Sequence, residues 1–256
     1  MHPILFKLGP IVIYSYGFFV ALGVLSALYV GKYLAKKEDI PPEIFEKIFI
    51  FAIISGVIGA RLFFFIYNPE FLKSLKNVLF IWHGGLVWYG GLIFGTLTVL
   101  YLIKKYNLKD KIWKIADIAG TIIPLGLGFG RIGCTMAGCC YGIPYHGPFA
   151  IKFTDPHSLA PKGVYLFPSQ PVSSLANFLI FFLLFILYRR KKFDGEIFSL
   201  FLILYGTFRF FIEFMRATPK IYFGLSQNQI ISLIFIIVGI FIYLLRKKQT
   251  SNKSKI

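Results

Sequence analysis

The chain has 256 residues, 57% of them hydrophobic and only 15% charged, against about 25% charged in an average soluble domain. Thirty Phe and 15 Tyr exceed what one water-facing core of this size can hide, and three Cys are too few for a disulfide-rich secreted scaffold. A soluble globule, a disordered chain and a disulfide scaffold are excluded, which leaves a polytopic membrane protein. The net charge of +17 has to be read from where the cations sit.

A helix needs roughly 20 mostly apolar residues to cross a bilayer. Seven runs qualify: 11–34, 44–66, 84–103, 115–133, 171–188, 195–215 and 226–245. None alternates with period two, so the runs are helices that satisfy their own backbone in lipid. The first run lacks a basic leading segment and carries its lysines at the far end, unlike a cleaved signal. The second holds Gly56 and Gly59, spaced for close helix packing, and Arg61. Residues 67–83 are too long for a tight turn and are expected to form a short arm on the membrane surface. The third run is flanked by Gly84-Gly85 and Gly90-Gly91. The fourth carries Asp117 near its start and Arg131 at its end, among Gly126, Gly128, Gly130, Gly133, Gly138 and Gly142. The later pairs and this run are expected to be irregular backbone lining a cavity. Residues 134–170 are rich in Pro and Gly and are expected to form a small extracytoplasmic head. The predicted fold is an all-α membrane protein, a seven-transmembrane-helix bundle with that head and arm, in a single domain over 1–256.

The cations fix an orientation. Lys32, Lys36, Lys37 and Lys47 flank the first connection, and Lys104, Lys105, Lys109, Lys111 and Lys114 fill the third. Arg189, Arg190, Lys191 and Lys192 fill the fifth, and Arg246, Lys247, Lys248, Lys253 and Lys255 lie in the tail. Eighteen of the 28 cations thus fall on alternate connections. The positive-inside rule places these segments in the cytoplasm, the N-terminus outside and the C-terminus inside. The clusters read as topology markers on anionic headgroups, and no nucleic-acid partner is expected.

Charges inside spans are costly, about 2.5–3.5 kcal/mol each at mid-bilayer, and they face the bundle interior or a wet cavity. Arg61, Arg131, Arg209 and Glu213 are such residues. Helical spacing puts Tyr205, Arg209, Glu213 and Arg216 on one stripe. An internal ion pair explains Arg209 with Glu213, but arginines on three different spans point to a polar cavity. Guanidinium forks in a partly dry site suit a phosphate, and lipid headgroups are the phosphates found at that depth.

At these residues the sequence resembles the prolipoprotein diacylglyceryl transferase family. The resemblance runs through Tyr16-Gly17, Gly59-Ala60-Arg61, Ile81-Trp82-His83-Gly84-Gly85, Asp117, Gly130-Arg131-Ile132-Gly133, Gly142, Pro168-Ser169-Gln170 and Tyr205-Gly206-x-x-Arg209. It implies transfer of a diacylglyceryl group from phosphatidylglycerol to the lipobox cysteine thiol of a prelipoprotein signal peptide, in a bacterial inner membrane and with no cofactor. Arg131 and Arg209 are expected to hold the phosphate, and the base is expected to be Tyr89, which stands in the family's catalytic position and should have cationic neighbours, or else His83, whose imidazole titrates in a useful range. For substrate binding the resemblance implies Tyr16, Arg61, Gly84, Gly85, Asp117, Gly142, Ser169, Gln170, Tyr205 and Glu213. No metal is expected. Four places depart from the family pattern. The run Gly133-Cys134-Thr135-Met136-Ala137-Gly138-Cys139-Cys140 replaces an Asn-rich signature, Tyr89 stands where the family has His, His83 where it has an acid, and Pro171-Val172-Ser173 where it has Leu-Tyr-Glu. A paralogue with another acceptor, or a transporter for an anionic solute, are the competing functions. The three Cys lie within seven residues. A bridge from Cys134 to Cys139 or Cys140, free buried thiols, and a zinc site completed by His146 or His157 are the alternatives, although the spacing fits no standard zinc pattern.

Overall fold

The computed structural model describes residues 2–9, 11–70, 85–221 and 224–253. A hairpin of β1 (Ile4–Leu8) and β2 (Ile11–Tyr14) comes first. Among the described residues seven helices follow: α1 (Ser15–Lys37), α2 (Pro42–Tyr67), α3 (Trp88–Lys105), α4 (Ile112–Ala137), α5 (Ser169–Tyr188), α6 (Glu196–Ile212) and α7 (Gln227–Lys253). Single 3-10 turns stand at Lys109–Lys111 and Glu213–Met215. Among the described residues six stretches are long and apolar enough to cross a membrane: Ser15–Lys37, Pro42–Tyr67, Lys109–Ala137, Ser169–Tyr188, Glu196–Met215 and Gln227–Ser251. The remaining helix, α3, has 18 residues and ends on Lys104 and Lys105. The expected arm lies almost entirely outside the described residues.

The chain forms two compact units, Met1–Gly31 with Trp113–Ile256, and Lys32–Ile112. In the first unit, residues 11–14 are a strand and not the start of the first span. Ile11, Val12 and Ile13 are β-branched and fit a pleated pair, and Gly9, at φ +58°, turns the chain between the strands. The backbone N–H of Ser15 then donates to the Pro3 carbonyl at 2.9 Å and starts α1.

The glycine run of the fourth span is regular helix rather than loose backbone, because α4 continues through Pro124 and Arg131 to Ala137. Gly128 and Gly133 serve close packing, whereas a Cβ on Gly126 or Gly130 would meet open space. A Cβ on Gly128 would stand 2.9 Å from the Phe178 ring, and one on Gly133 would stand 3.1 Å from the Tyr16 Cα. Small residues replace side-chain burial as the packing device where the surroundings are as apolar as the core. Gly138, at φ +76°, ends the helix.

The head is smaller than predicted. Residues 134–137 belong to α4, and Ser169 and Gln170 open α5. Between them β3 (Ile151–Lys152) pairs with β4 (Tyr165–Leu166). Phe153, Ala160 and Leu166 form a small core there, with Tyr141 and Ile151 packed on it.

One end of this unit is built on a buried carboxylate. Asp117 is fully buried and accepts from the backbone N–H of Gly195 at 2.9 Å and of Phe198 at 3.0 Å, and from Lys191 Nζ at 3.2 Å. It thereby caps the N-terminus of α6, where unsatisfied N–H groups and the helix dipole favour a negative charge. Arg246 stacks on Trp113, 5.0 Å from the ring centre, and its Nε donates to the Asp194 carbonyl at 3.0 Å. The start of α4, the α5–α6 connection and the end of α7 therefore meet at one end of this unit. At the other end α7 starts with a reciprocal cap: Gln229 N–H donates to Ser226 Oγ at 3.3 Å, and Ser226 N–H to Gln229 Oε1 at 2.9 Å.

In the second unit α2 opens on Pro42 at its first position. It packs against α3 through facing glycines. A Cβ on Gly59 would stand 2.5 Å from the Gly90 carbonyl oxygen, and one on Gly56 would stand 3.4 Å from that of Gly91. The Gly90-Gly91 pair is thus helix-packing surface and not irregular backbone. Gly85, at φ +81°, does adopt the irregular conformation expected of the preceding pair.

Candidate functional site

At the end of the first unit away from Asp117, the last turns of α4, the first turn of α5, the end of α6 and the start of α7 come together around Glu213. Its carboxylate is fully buried. Oε1 accepts from Asn228 Nδ2 at 2.7 Å, Thr218 Oγ1 at 2.9 Å and Ser226 Oγ at 3.3 Å. Oε2 faces Arg209 Nη2 at 3.1 Å and Arg216 Nη1 at 3.6 Å. Neutral donors thus saturate one oxygen while two guanidiniums share the other, so the carboxylate fixes both arginines without consuming their forks. The stripe read from the sequence is real as far as Glu213. The helix ends at Ile212, yet Arg216, in extended backbone, still reaches the carboxylate.

Arg131 belongs to the same cluster. The Tyr205, Cys134 and Cys140 side chains act on it electrostatically, and it hydrogen-bonds the Cys140 thiol. Arg209 in turn feels Arg216, Tyr205 and Arg131. Tyr205 stacks on Phe201 with ring centres 5.6 Å apart. Tyr16, in the first turn of α1, feels Arg131 and the three Cys. Gly142 bridges to Arg216 in antiparallel fashion, and a Cβ there would stand 2.5 Å from the Phe167 carbonyl oxygen. Glycine is what lets the head strand lie against the arginine.

Ser169 and Gln170 are buried and face backbone. Ser169 Oγ donates to the Cys140 carbonyl at 3.1 Å and Gln170 Nε2 to the Cys139 carbonyl at 2.8 Å. They hold the 139–140 segment, where Cys140 sits at φ +60°. All three Cys are free thiols. Hydrogen bonds from Cys134 and Cys139, then the charges of Arg216 and Arg131, outweigh burial and hold the Cys140 thiol far below the usual thiol range. His146 packs beside the Tyr165 ring, and exposed His157 pairs with Asp155 at 3.3 Å. Neither joins the thiols.

Asp117 does not join the arginines. It is 14 residues from Arg131 on one helix, about 21 Å along the axis, and its oxygens are taken up by the cap of α6. In the second unit Arg61 Nη1 donates to the Gly85 carbonyl at 3.0 Å, and its guanidinium lies 5.0 Å from the Phe65 ring centre. Tyr89, in the first turn of α3, stands edge-on to Trp88 at 5.5 Å. Its ionisable neighbour in this unit is the Tyr67 phenol rather than the guanidinium expected from the sequence. His83 and Gly84 lie outside the described residues.

The sequence reading left out Arg216, Asn228, Thr218 and Ser226 as site residues. Arg216 was legible from the stripe. The other three sit on a loop and a helix start and carry no spacing signal.

The sequence model of the family described as prolipoprotein diacylglyceryl transferase matches residues 3–245. A phosphatidylglycerol–prolipoprotein diacylglyceryl transferase of Clostridium tetani is 38% identical over 254 residues, covering 95% of this chain and 97% of that protein. The second such enzyme of Clostridium perfringens is 34% identical, covering 99% and 100%, and that of Finegoldia magna is 36% identical, covering 97% of each. With matches of this length, the chain belongs to the prolipoprotein diacylglyceryl transferase family.

Proposed function

We propose that this protein transfers the diacylglyceryl group of phosphatidylglycerol to the lipobox cysteine thiol of a prelipoprotein, the first step of bacterial lipoprotein maturation. The observation that carries the reading is the cluster of Arg131, Arg209 and Arg216 around one buried carboxylate. Three guanidiniums against one carboxylate leave a surplus of positive charge. Among the described residues the Nε of Arg216, on a side chain only 9% exposed, has no hydrogen-bond partner. A partly buried cationic site with an unused donor suits a phosphate. An open apolar groove of about 470 Å³, lined by Leu25, Tyr29, Val30, Leu125, Phe129 and Phe181, is walled in part by α4, the helix that carries Arg131, and suits acyl chains. In the reaction the acceptor sulfur bonds to the glyceryl carbon, the bond from that carbon to the phosphate oxygen breaks, and glycerol phosphate leaves. Arg131 and Arg209 stabilise the phosphate as its charge grows. The thiol proton passes to a base, for which Tyr89 ranks first and His83 second. Tyr16, Tyr205 and Gly142 shape the phosphate site; Ser169 and Gln170 position the 139–140 segment beside it.

The same reading counts α3 as a seventh span, places the N-terminus outside and the C-terminus in the cytoplasm of an inner membrane, and puts residues 138–168 on the outer face. The basic fifth connection and the basic tail lie at the Asp117 end of the first unit, and the third connection ends there at the start of α4, as a shared cytoplasmic end requires. The test is rescue of a strain depleted of its own enzyme, scored by lipid attachment to a reporter prelipoprotein. The wild-type chain should restore attachment, and Arg131→Gln and Arg209→Gln should insert normally and restore none. Attachment at near-normal levels in both variants would remove the phosphate role.

A further inference from the structure

The three Cys have no part in the reaction as proposed, and the family signature they replace is of another chemistry. Their arrangement is specific. The Sγ atoms of Cys134, Cys139 and Cys140 all lie within 4.8 Å of one another. An ion bonded to three sulfurs at about 2.3 Å in one plane would hold them about 4.0 Å apart. Closing the triad on an ion needs side-chain shifts of only some tenths of an ångström. A disulfide needs one pair to close to about 2.05 Å and leaves the third thiol over.

The backbone is prepared for such a triad. Cys134 is fixed in the last turns of α4, and its carbonyl accepts from Gly138 N–H at 2.9 Å. Gln170 and Ser169 clamp the carbonyls of Cys139 and Cys140 from the first turn of α5. The left-handed conformation of Cys140 turns the chain back after Cys139. The thiols grade from buried (Cys134) through half-buried (Cys139) to exposed (Cys140), which gives an ion an entry path.

We propose that Cys134, Cys139 and Cys140 form a three-coordinate thiolate site for a soft monovalent cation of the Cu(I) class. Thiolate-only ligation selects soft ions. The surrounding charge selects among them. Cu(I) with three thiolates carries two negative charges, and the two guanidiniums acting on Cys140 are those of Arg216 and Arg131. Zn(II) would carry one negative charge less, and a structural zinc site asks for a fourth protein ligand. No His, Asp or Glu joins the three sulfurs among the described residues.

The experiment uses the full chain, reduced and in detergent, titrated anaerobically with Cu(I) against a chromophoric Cu(I) chelator. One Cu(I) per chain should leave the chelator, and X-ray absorption should show three sulfur neighbours. Cys140→Ser, at the exposed position, should keep the parent melting temperature without metal and weaken binding at least about 100-fold, more than loss of an outer-sphere partner costs. The double variant Cys134→Ser with Cys139→Ser should leave the Cu(I) on the chelator. Equal uptake by the double variant, a two-sulfur shell, or capture of Zn(II) in preference to Cu(I) would each overturn the assignment. None of these readouts depends on transfer activity, so failure here leaves the proposed function standing.

Discussion

At the scale of single residues, Glu213 decides what the arginines can do. Its Oε2 holds Arg209 and Arg216 while its other oxygen is saturated by Asn228, Thr218 and Ser226. Arg131→Lys or Arg209→Lys keeps the charge and loses the planar fork. Each should lower the transfer rate by the equivalent of about 2–4 kcal/mol, as for loss of one donor aimed at a developing charge. A lysine variant with parental kcat/KM would show that charge alone is enough. The proton acceptor is tested by pH. A free phenol titrates near pKa 10 and an imidazole near 6.5, so Tyr89→Phe and His83→Gln should differ across about pH 6–9. Tyr89→Phe should lose most activity throughout, and His83→Gln should lose less. Full activity in Tyr89→Phe across that range would take Tyr89 out of proton transfer. Arg131, Arg209 and Glu213 were legible because charge within an apolar run is costly and therefore informative. The donors to Glu213 were not, since Ser, Thr and Asn on loops are the ordinary material of loops. The surroundings of Tyr89 are not legible from spacing, and among the described residues of its unit the Tyr67 phenol is what acts on it.

At the scale of elements, apolar length located the helices, and the errors lie at their ends. The first span was drawn from residue 11 because strand and helix are both apolar there. What separates them is the pairing of 11–14 with 4–8, which hydropathy does not encode. Gly90-Gly91 and the run around Arg131 suggest irregular backbone beside a ligand, because they lie where a polar cavity is expected. Against an apolar neighbour a glycine face is instead what permits two helices to touch, as Gly90 does against Gly59, whose spacing with Gly56 already predicts packing. Asp117 shows the reverse case, a costly charge whose use is architectural. Asp117→Ala would leave two backbone N–H groups at the start of α6 without their acceptor, while Lys191 keeps Asp194 at 3.2 Å. Each buried donor left unsatisfied costs about 1–3 kcal/mol. The variant should show a sharply lower melting temperature in detergent and reduced accumulation, with the KM of whatever protein folds unchanged. A normal melting temperature with a raised KM would give Asp117 a substrate role after all.

At the scale of the whole molecule, orientation follows from charge. Reporter fusions after residues 108 and 256 should read cytoplasmic, and one after 150 should read extracytoplasmic. An extracytoplasmic signal at 108 would reverse the arrangement. The alternate placement of the cations was fully legible in the sequence, because the rule counts residues and needs no tertiary structure. The division into two compact units was not. Both cuts fall within cation clusters, at Lys32 and between Lys111 and Lys114, but nothing distinguishes these clusters from the other two, and the first cut runs through the helix α1 itself.

The unequal count of three guanidiniums to one carboxylate has a kinetic consequence. A phosphodiester lipid brings one negative charge to that positive surplus. Glycerol phosphate, once free, carries nearly two above its second ionisation, which for a phosphate monoester lies at about pH 6. The cluster therefore attracts the spent headgroup more strongly than the intact lipid. Added glycerol phosphate should inhibit competitively with phosphatidylglycerol, and its inhibition constant should tighten as pH rises through about 6 and then level off. Departure of the headgroup, rather than bond breaking, should then set the pace of the cycle, and a pre-steady-state burst of thioether formation is the signature to look for.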